Sequence, residues 1–297
     1  MTDLAGVPFD YMPLILATTA SLMFAIGAQW QNIGLATVDG RTGAMVSITA
    51  AAATLWLFAP FFMDWHYWLE PAMLIFAAIG LFRPAVSANL AVAGMKFLGP
   101  TLVSTLACTS PLFGTVMGVL ILGELFTWPL AIGTGGIMAA VLLLSKRGKV
   151  KVDWPFWALF LPIGAAFLRA LGHVLSKIGM EAGIPDPYFA SIVGFTVSAI
   201  LTWSVRGVRR EPVVVNWRAP GVKWFALGGA TTSAAIICLN TGLLRGDLVV
   251  IAPIVATSPI FTMLLSALVF RRERLTGKVV IATFIVVGSV IVIALGR

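Results

Sequence analysis

Two arginines and a histidine stand inside stretches that are otherwise almost wholly apolar: Arg83, Arg169 and His173, with Lys177 one helical turn further on. On a helix the four-residue spacing of Arg169, His173 and Lys177 puts all three on one face. A guanidinium is a planar fork suited to a carboxylate or phosphate, so Arg83 and Arg169 are candidates to hold an anionic group. The alternative is that they bind backbone carbonyls and fix helix packing. For Arg83 that alternative has a local reason, because Pro84 frees a carbonyl one turn earlier. Imidazole is the side chain whose unperturbed titration lies near neutrality, which makes His173 the candidate for proton coupling; donation to a backbone carbonyl is the competing role. Lys177 lies closer to a segment end and is expected to reach toward the lipid headgroups.

No acid accompanies these bases. All 12 carboxylates fall in loops or at the ends of apolar runs, among them Glu124, Glu181, Asp186, Asp247 and Glu273. Exchange of a lipophilic cation for protons is simplest with a buried carboxylate, so an exporter of hydrophobic or cationic compounds is the weaker alternative. The two histidines, His66 and His173, lie on different segments with no HExxH pattern, and Cys108 and Cys238 sit in apolar runs without CxxC spacing. No metal site, cofactor or catalytic residue is therefore expected, and a membrane-embedded enzyme is disfavoured. Gly133 to Gly136 is no phosphate loop, since no strand precedes it and no Lys-Ser/Thr follows.

The elements that must position these groups follow from composition. The chain has 297 residues, 59% hydrophobic and 11% charged, and a mean hydropathy of +0.99. Soluble domains carry charge on about a quarter of their residues. Ten apolar runs, 12–33, 43–62, 71–95, 100–123, 129–145, 154–177, 188–205, 221–244, 248–270 and 277–295, are each near the length that crosses a hydrocarbon core about 30 Å thick. Their apolar residues surround the helix instead of alternating as in barrel strands, so an all-α membrane protein is predicted. The segment before the first run is acidic, which does not fit a cleavable signal peptide. Connections are too short for a soluble domain, and Trp56, Trp65, Trp68, Trp128, Trp154, Trp157, Trp203 and Trp224 fall near run ends, where interfacial indoles belong.

The chain repeats itself. Thr109-Ser110-Pro111-Leu112-Phe113 recurs as Thr257-Ser258-Pro259-Ile260-Phe261, Gly80 pairs with Gly228, Gly94 with Gly242, and Ile33-Gly34 with Ile178-Gly179. Residues 1–148 and 149–297 thus form two five-helix repeats within one integral membrane unit. An odd number of crossings inverts the second repeat, the plan of secondary transporters that bind substrate near the midplane.

With a proline in each fourth helix and a glutamate near its end, Pro111 with Glu124 and Pro259 with Glu273, the chain resembles the EamA-like branch of the drug/metabolite transporter superfamily over nearly its whole length. The resemblance implies a ten-helix carrier moving small metabolites by alternating access, with both termini cytoplasmic. The charge distribution points the other way for the termini. Fifteen of the 20 Lys and Arg lie on the opposite side, at Arg41, Lys96, 146–151, 206–223 and 271–278, against three on the side of the termini. Short loops rich in Lys and Arg stay cytoplasmic, so both termini are expected outside, in a bacterial inner membrane. The net charge of +8 is largely this orientation signal and does not indicate a nucleic-acid partner.

Repeat symmetry places the rest of the site. Arg169, His173 and Lys177 map onto Phe24, Ala28 and Asn32, and Arg83 onto Thr231. The expected cavity is basic on one wall and apolar with small polar groups on the other, which suits a small organic anion or an amino-acid-like zwitterion. Gln29, Asn32, Asn89 and Asn240 either add hydrogen bonds to substrate or join helices. Pro111 and Pro259 are predicted to interrupt their helices and are candidate hinges. Gly114, Gly118, Gly133, Gly135, Gly136, Gly228 and Gly229 are expected to permit close helix approach. The expected partners are a small metabolite and the bilayer, with the chain acting as a monomer.

Overall fold

A computed structural model describes residues 11–107, 109–145, 155–208, 217–270 and 277–295, and among the described residues the chain is helical with no strand. In order the helices are α1 (Met12–Gly34), α2 (Gly40–Phe62), α3 (Met73–Phe82), α4 (Ala85–Ala107), α5 (Ser110–Leu122), α6 (Trp128–Ser145), α7 (Phe160–Glu181), α8 (Pro187–Val208), α9 (Pro220–Arg245), α10 (Leu248–Val255), α11 (Ser258–Leu268) and α12 (Gly277–Leu295). Among the described residues eight segments are long and apolar enough to cross a membrane, and two shorter apolar helices, Ser110–Leu122 and Trp128–Leu143, lie where the fourth and fifth crossings are predicted. Side chains in the middle of helices face outward without protein cover: Val116 is 53% exposed and Phe284 74%. In water such a belt would be an aggregation surface, whereas against acyl chains it costs nothing.

The third and fourth predicted runs share the continuous helical stretch α4, although a turn is predicted at 96–99. The turn is present in helical form. A Cβ on Gly94 would lie 3.3 Å from Val103 Cγ2, whereas nine residues of straight helix separate two positions by about 13 Å, so α4 doubles back on itself.

The ninth crossing is broken into α10 and α11, and the fourth breaks before α5. Pro111 and Pro259 are not in helix interiors as predicted but in the first turns of α5 and α11. At that position the missing N–H has no intrahelical partner to lose. The breaks are satisfied locally: Thr109 Oγ1 donates to the Leu106 carbonyl at 2.7 Å and Thr257 Oγ1 to that of Ile254 at 2.6 Å.

The inversion of the repeats is visible in one pair of hydrogen bonds. Trp56 Nε1 on α2 donates to Thr196 Oγ1 on α8 at 2.9 Å, and Trp203 Nε1 on α8 donates to Thr49 Oγ1 on α2 at 3.0 Å. Equivalent donors and acceptors exchanged between two antiparallel helices require a two-fold axis between them. The remaining packing obeys it: α1 runs along α9 as α7 runs along α4, and α6 pairs with α12.

Association within lipid depends on close approach, and glycines supply it. Gly34 and Gly43 receive the Phe225 ring, Gly179 receives Phe76, and a Cβ on Gly229 would lie 2.2 Å from the Ser47 carbonyl oxygen. Ser47 Oγ reinforces that crossing by donating to the Phe225 carbonyl at 2.8 Å.

Candidate functional site

Between the halves lies a cavity of about 240 Å³. Its lining pairs off by the repeat: Gln31 with Ser176, Ala44 with Ser191, Ile48 with Phe195, and Pro84 with Thr232 all face it. The cavity therefore straddles the two-fold axis, and departures from symmetry set its chemistry.

Arg83 is the main departure. It ends α3 in extended backbone, and the Ala85 N–H released by the break is taken by Ser198 Oγ of α8 at 3.2 Å. The side chain lines the cavity and crosses α7 at Gly172, where an added Cβ would come within 2.8 Å of Arg83 Cδ. On the other wall the equivalent position is Gly27, where an added Cβ would lie 3.1 Å from Thr232 Oγ1 and 3.8 Å from Thr231 Cβ, so short hydroxyl side chains stand there in place of a guanidinium. Among the described residues no acidic side chain pairs with Arg83. On α7, Arg169 lies one turn before Gly172 and His173 directly after it, both within electrostatic reach of Arg83. Three basic side chains thus lie close together, and Arg83, the one at the cavity, has no acidic partner among the described residues, an arrangement that favours an anion.

Of the predicted site residues, Phe24, Arg83 and Asn240 line the cavity. Arg169 and His173 are half-buried behind Arg83 and do not line it. Asn32 is exposed, and its neighbour Gln31 faces inward instead. Thr231 returns its hydroxyl to the Leu227 carbonyl at 2.8 Å, and Thr232 takes the cavity position. The error is one of helical phase, since adjacent residues point about 100° apart. The stripe through Lys177 leads to Asn32, whereas Ser176 leads to Gln31, and the latter pair lines the site. The other amides divide: Gln29 Nε2 joins α1 to α11 by donating to the Thr262 carbonyl at 2.7 Å, and Asn89 donates to Ala85 of its own helix at 2.8 Å.

Lys177 does not reach toward headgroups. It is only 7% exposed, donates to Glu124 Oε1 at 2.7 Å and to the Gly246 carbonyl at 2.9 Å, and has Asp247 and Glu181 at 3.9 and 4.0 Å. Glu124 in turn accepts from the Leu248 and Val249 N–H groups, both at 2.8 Å. Asp247, at the usual capping position, makes no cap bond, so α10 is capped by a carboxylate from the other half. A helix N-terminus is well suited to this anion. Local sequence makes it possible: Gly123 adopts φ +69, turning the chain after α5, and Gly118 leaves space in which a Cβ would meet Glu124 Oε2 at 2.8 Å. The Gly-Glu pair after a helix is a detectable signal for such a turn; its partner across the fold is not. The symmetry-related Glu273 lies outside the described residues, as does Cys108.

The sequence model of the EamA-like transporter family matches residues 12–146 and again 156–295, one copy per repeat. The chain belongs to the EamA-like transporter family. As a member it is an integral membrane transporter, and the two matches give its two-repeat architecture directly. Among solved structures, one crystal structure, titled only as that of a protein, superposes with a TM-score of 0.80 at 17% identity, covering 95% of this chain and 96% of its own. At that identity the likeness speaks for the fold. No curated protein matches the transporter's sequence. No cluster of three or more potential metal ligands occurs among the described residues.

Proposed function

We propose that this transporter carries a small metabolite bearing an anionic group, an organic anion or an amino-acid-like zwitterion, by alternating access between two inverted halves, residues 1–148 and 149–297. The observation that carries this reading is Arg83, a guanidinium lining the central cavity with no acidic partner among the described residues. An unpaired cation at membrane depth is costly unless a ligand or cavity answers it. Arg83 binds the anionic group, with Arg169 reinforcing the positive field from α7. Phe24, Ile48 and Phe195 accept the apolar body, and Gln31, Thr232 and Asn240 supply polar contacts. An anion seated beside Arg83 lowers the cost of a further positive charge at His173, which links substrate binding to proton uptake. The paired breaks at Pro111 and Pro259 are the hinges, and the Lys177 to Glu124 contact closes the face that carries the termini.

Flux into proteoliposomes tests this reading with amino acids, organic acids, phosphorylated metabolites and organic cations, with and without a pH gradient. Anion-bearing compounds should be transported, and Arg83→Gln should weaken their apparent affinity by at least about tenfold. Uptake driven by the pH gradient should stop in His173→Gln if that residue couples protons. Transport of cations alone, or unchanged affinity in both Arg83→Gln and Arg169→Ala, would overturn the anion reading.

A further inference from the structure

Asn240 sits on α9 in the cavity wall, 2% exposed, and one end of its amide has no partner. Which end can be settled by proton counting. Ser191 Oγ donates its single proton to the Pro187 carbonyl at 2.7 Å, so toward Asn240 it can only accept. The group 3.1 Å away must then be Nδ2, a donor, which leaves Oδ1 as the unsatisfied atom. A buried carbonyl oxygen without a donor is a cost to the empty protein and a reward to any ligand that supplies one.

We propose that Asn240 is a specificity-determining residue that selects substrates carrying an N–H or O–H donor in addition to the anionic group held by Arg83. The inference rests on the anion reading and narrows it. A compound with a second anionic group at this end, a dicarboxylate or a phosphorylated acid, would set acceptor against acceptor at Oδ1 and be rejected. A plain monocarboxylate would leave Oδ1 unpaired and bind weakly. An α-amino or hydroxy acid satisfies both ends. Selection by one oriented acceptor also fits the apolar lining, which distinguishes bodies by shape and cannot recognise a polar substituent.

Matched probes on the full-length protein in lipid nanodiscs test this: L-leucine against 4-methylpentanoate, L-phenylalanine against 3-phenylpropionate, and adipate as a dianion. In the unmodified protein the amino compounds should bind at least about tenfold more tightly than their deaminated partners, with adipate weakest. Asn240→Leu should bring each pair within about twofold, mainly by weakening the amino compound. An unfolding midpoint of Asn240→Leu close to that of the unmodified protein separates loss of recognition from a general loss of structure. Equal binding of the paired probes by the unmodified protein, or a preference undiminished in a folded Asn240→Leu, would overturn this inference alone. Failure of every carboxylate to bind would overturn the anion reading and this inference with it.

Discussion

Lys177 and Glu124, one from each half of the molecule, form a buried ion pair at 2.7 Å that also caps α10. Each charge needs the other, since both side chains are less than a tenth exposed. Removing one partner strands a buried charge, which typically costs about 3–5 kcal/mol, whereas replacing both with neutral groups costs much less. Glu124→Gln should therefore lower stability by about 3–5 kcal/mol in detergent unfolding. Adding Lys177→Met to it should recover much of the loss. A double variant no more stable than Glu124→Gln would show that the cap, not the ion pair, dominates.

Gly172 leaves the room through which Arg83 reaches the cavity. An added methyl would press on Arg83 Cδ, a flexible part of the side chain, so the backbone need not move. Gly172→Ala should leave the unfolding midpoint nearly unchanged while weakening binding of anionic probes several-fold by displacing the guanidinium. Equal affinity in the variant would mean that Arg83 does not set the binding geometry.

Two helix glycines provide a contrast in packing. At Gly229 a Cβ would meet backbone, the Ser47 carbonyl oxygen at 2.2 Å, and neither helix can yield without separating. Gly229→Ala should destabilise by about 1–3 kcal/mol, the usual range for overpacking. Gly135 is exposed with nothing within 4 Å, contrary to its expected role at a close contact. Gly135→Ala should be neutral or stabilising by up to about 1 kcal/mol through helix propensity.

Asp39 caps α2 from the loop, accepting from the Thr42 and Arg41 N–H groups at 3.0 Å. Hydrogen bonds from Thr42, side chain and then backbone, hold its carboxyl below the ordinary aspartate value. Because the folded value is the lower one, this contribution is present above about pH 3.8 and is lost as pH falls through the lowered folded value. Asp39→Ala should cost about 1 kcal/mol near neutral pH. The gap to the parent protein should narrow in acid. A gap constant down to pH 3 would rule out a role for the ionised cap.

The charge distribution predicts that both termini lie outside, and a reporter fused after Arg297 checks it. Activity of a fusion that works only in the cytoplasm would reverse the orientation and place the Lys177 to Glu124 face inside.

Much of this architecture was legible along the chain. Hydropathy marks apolar runs because crossing lipid is a demand on each segment separately, and duplication leaves a record in Pro111 and Pro259 or Gly80 and Gly228 that needs no coordinates. The same symmetry maps Arg83 onto Thr231, although the neighbouring Thr232 takes the cavity position. What tertiary structure alone decided depends on rotation and on distant partners. A helix turns about 100° per residue, so Gln31 faces the cavity while Asn32 faces out, and no pattern in so apolar a helix distinguishes them. Lys177 turned inward because Glu124 and the Gly246 carbonyl converge on it from segments far away in sequence. The free oxygen of Asn240 exists only because a serine on another helix has already spent its proton. Segment identity is a sum of local preferences, whereas a site is a set of distances between segments, and those arise only on packing.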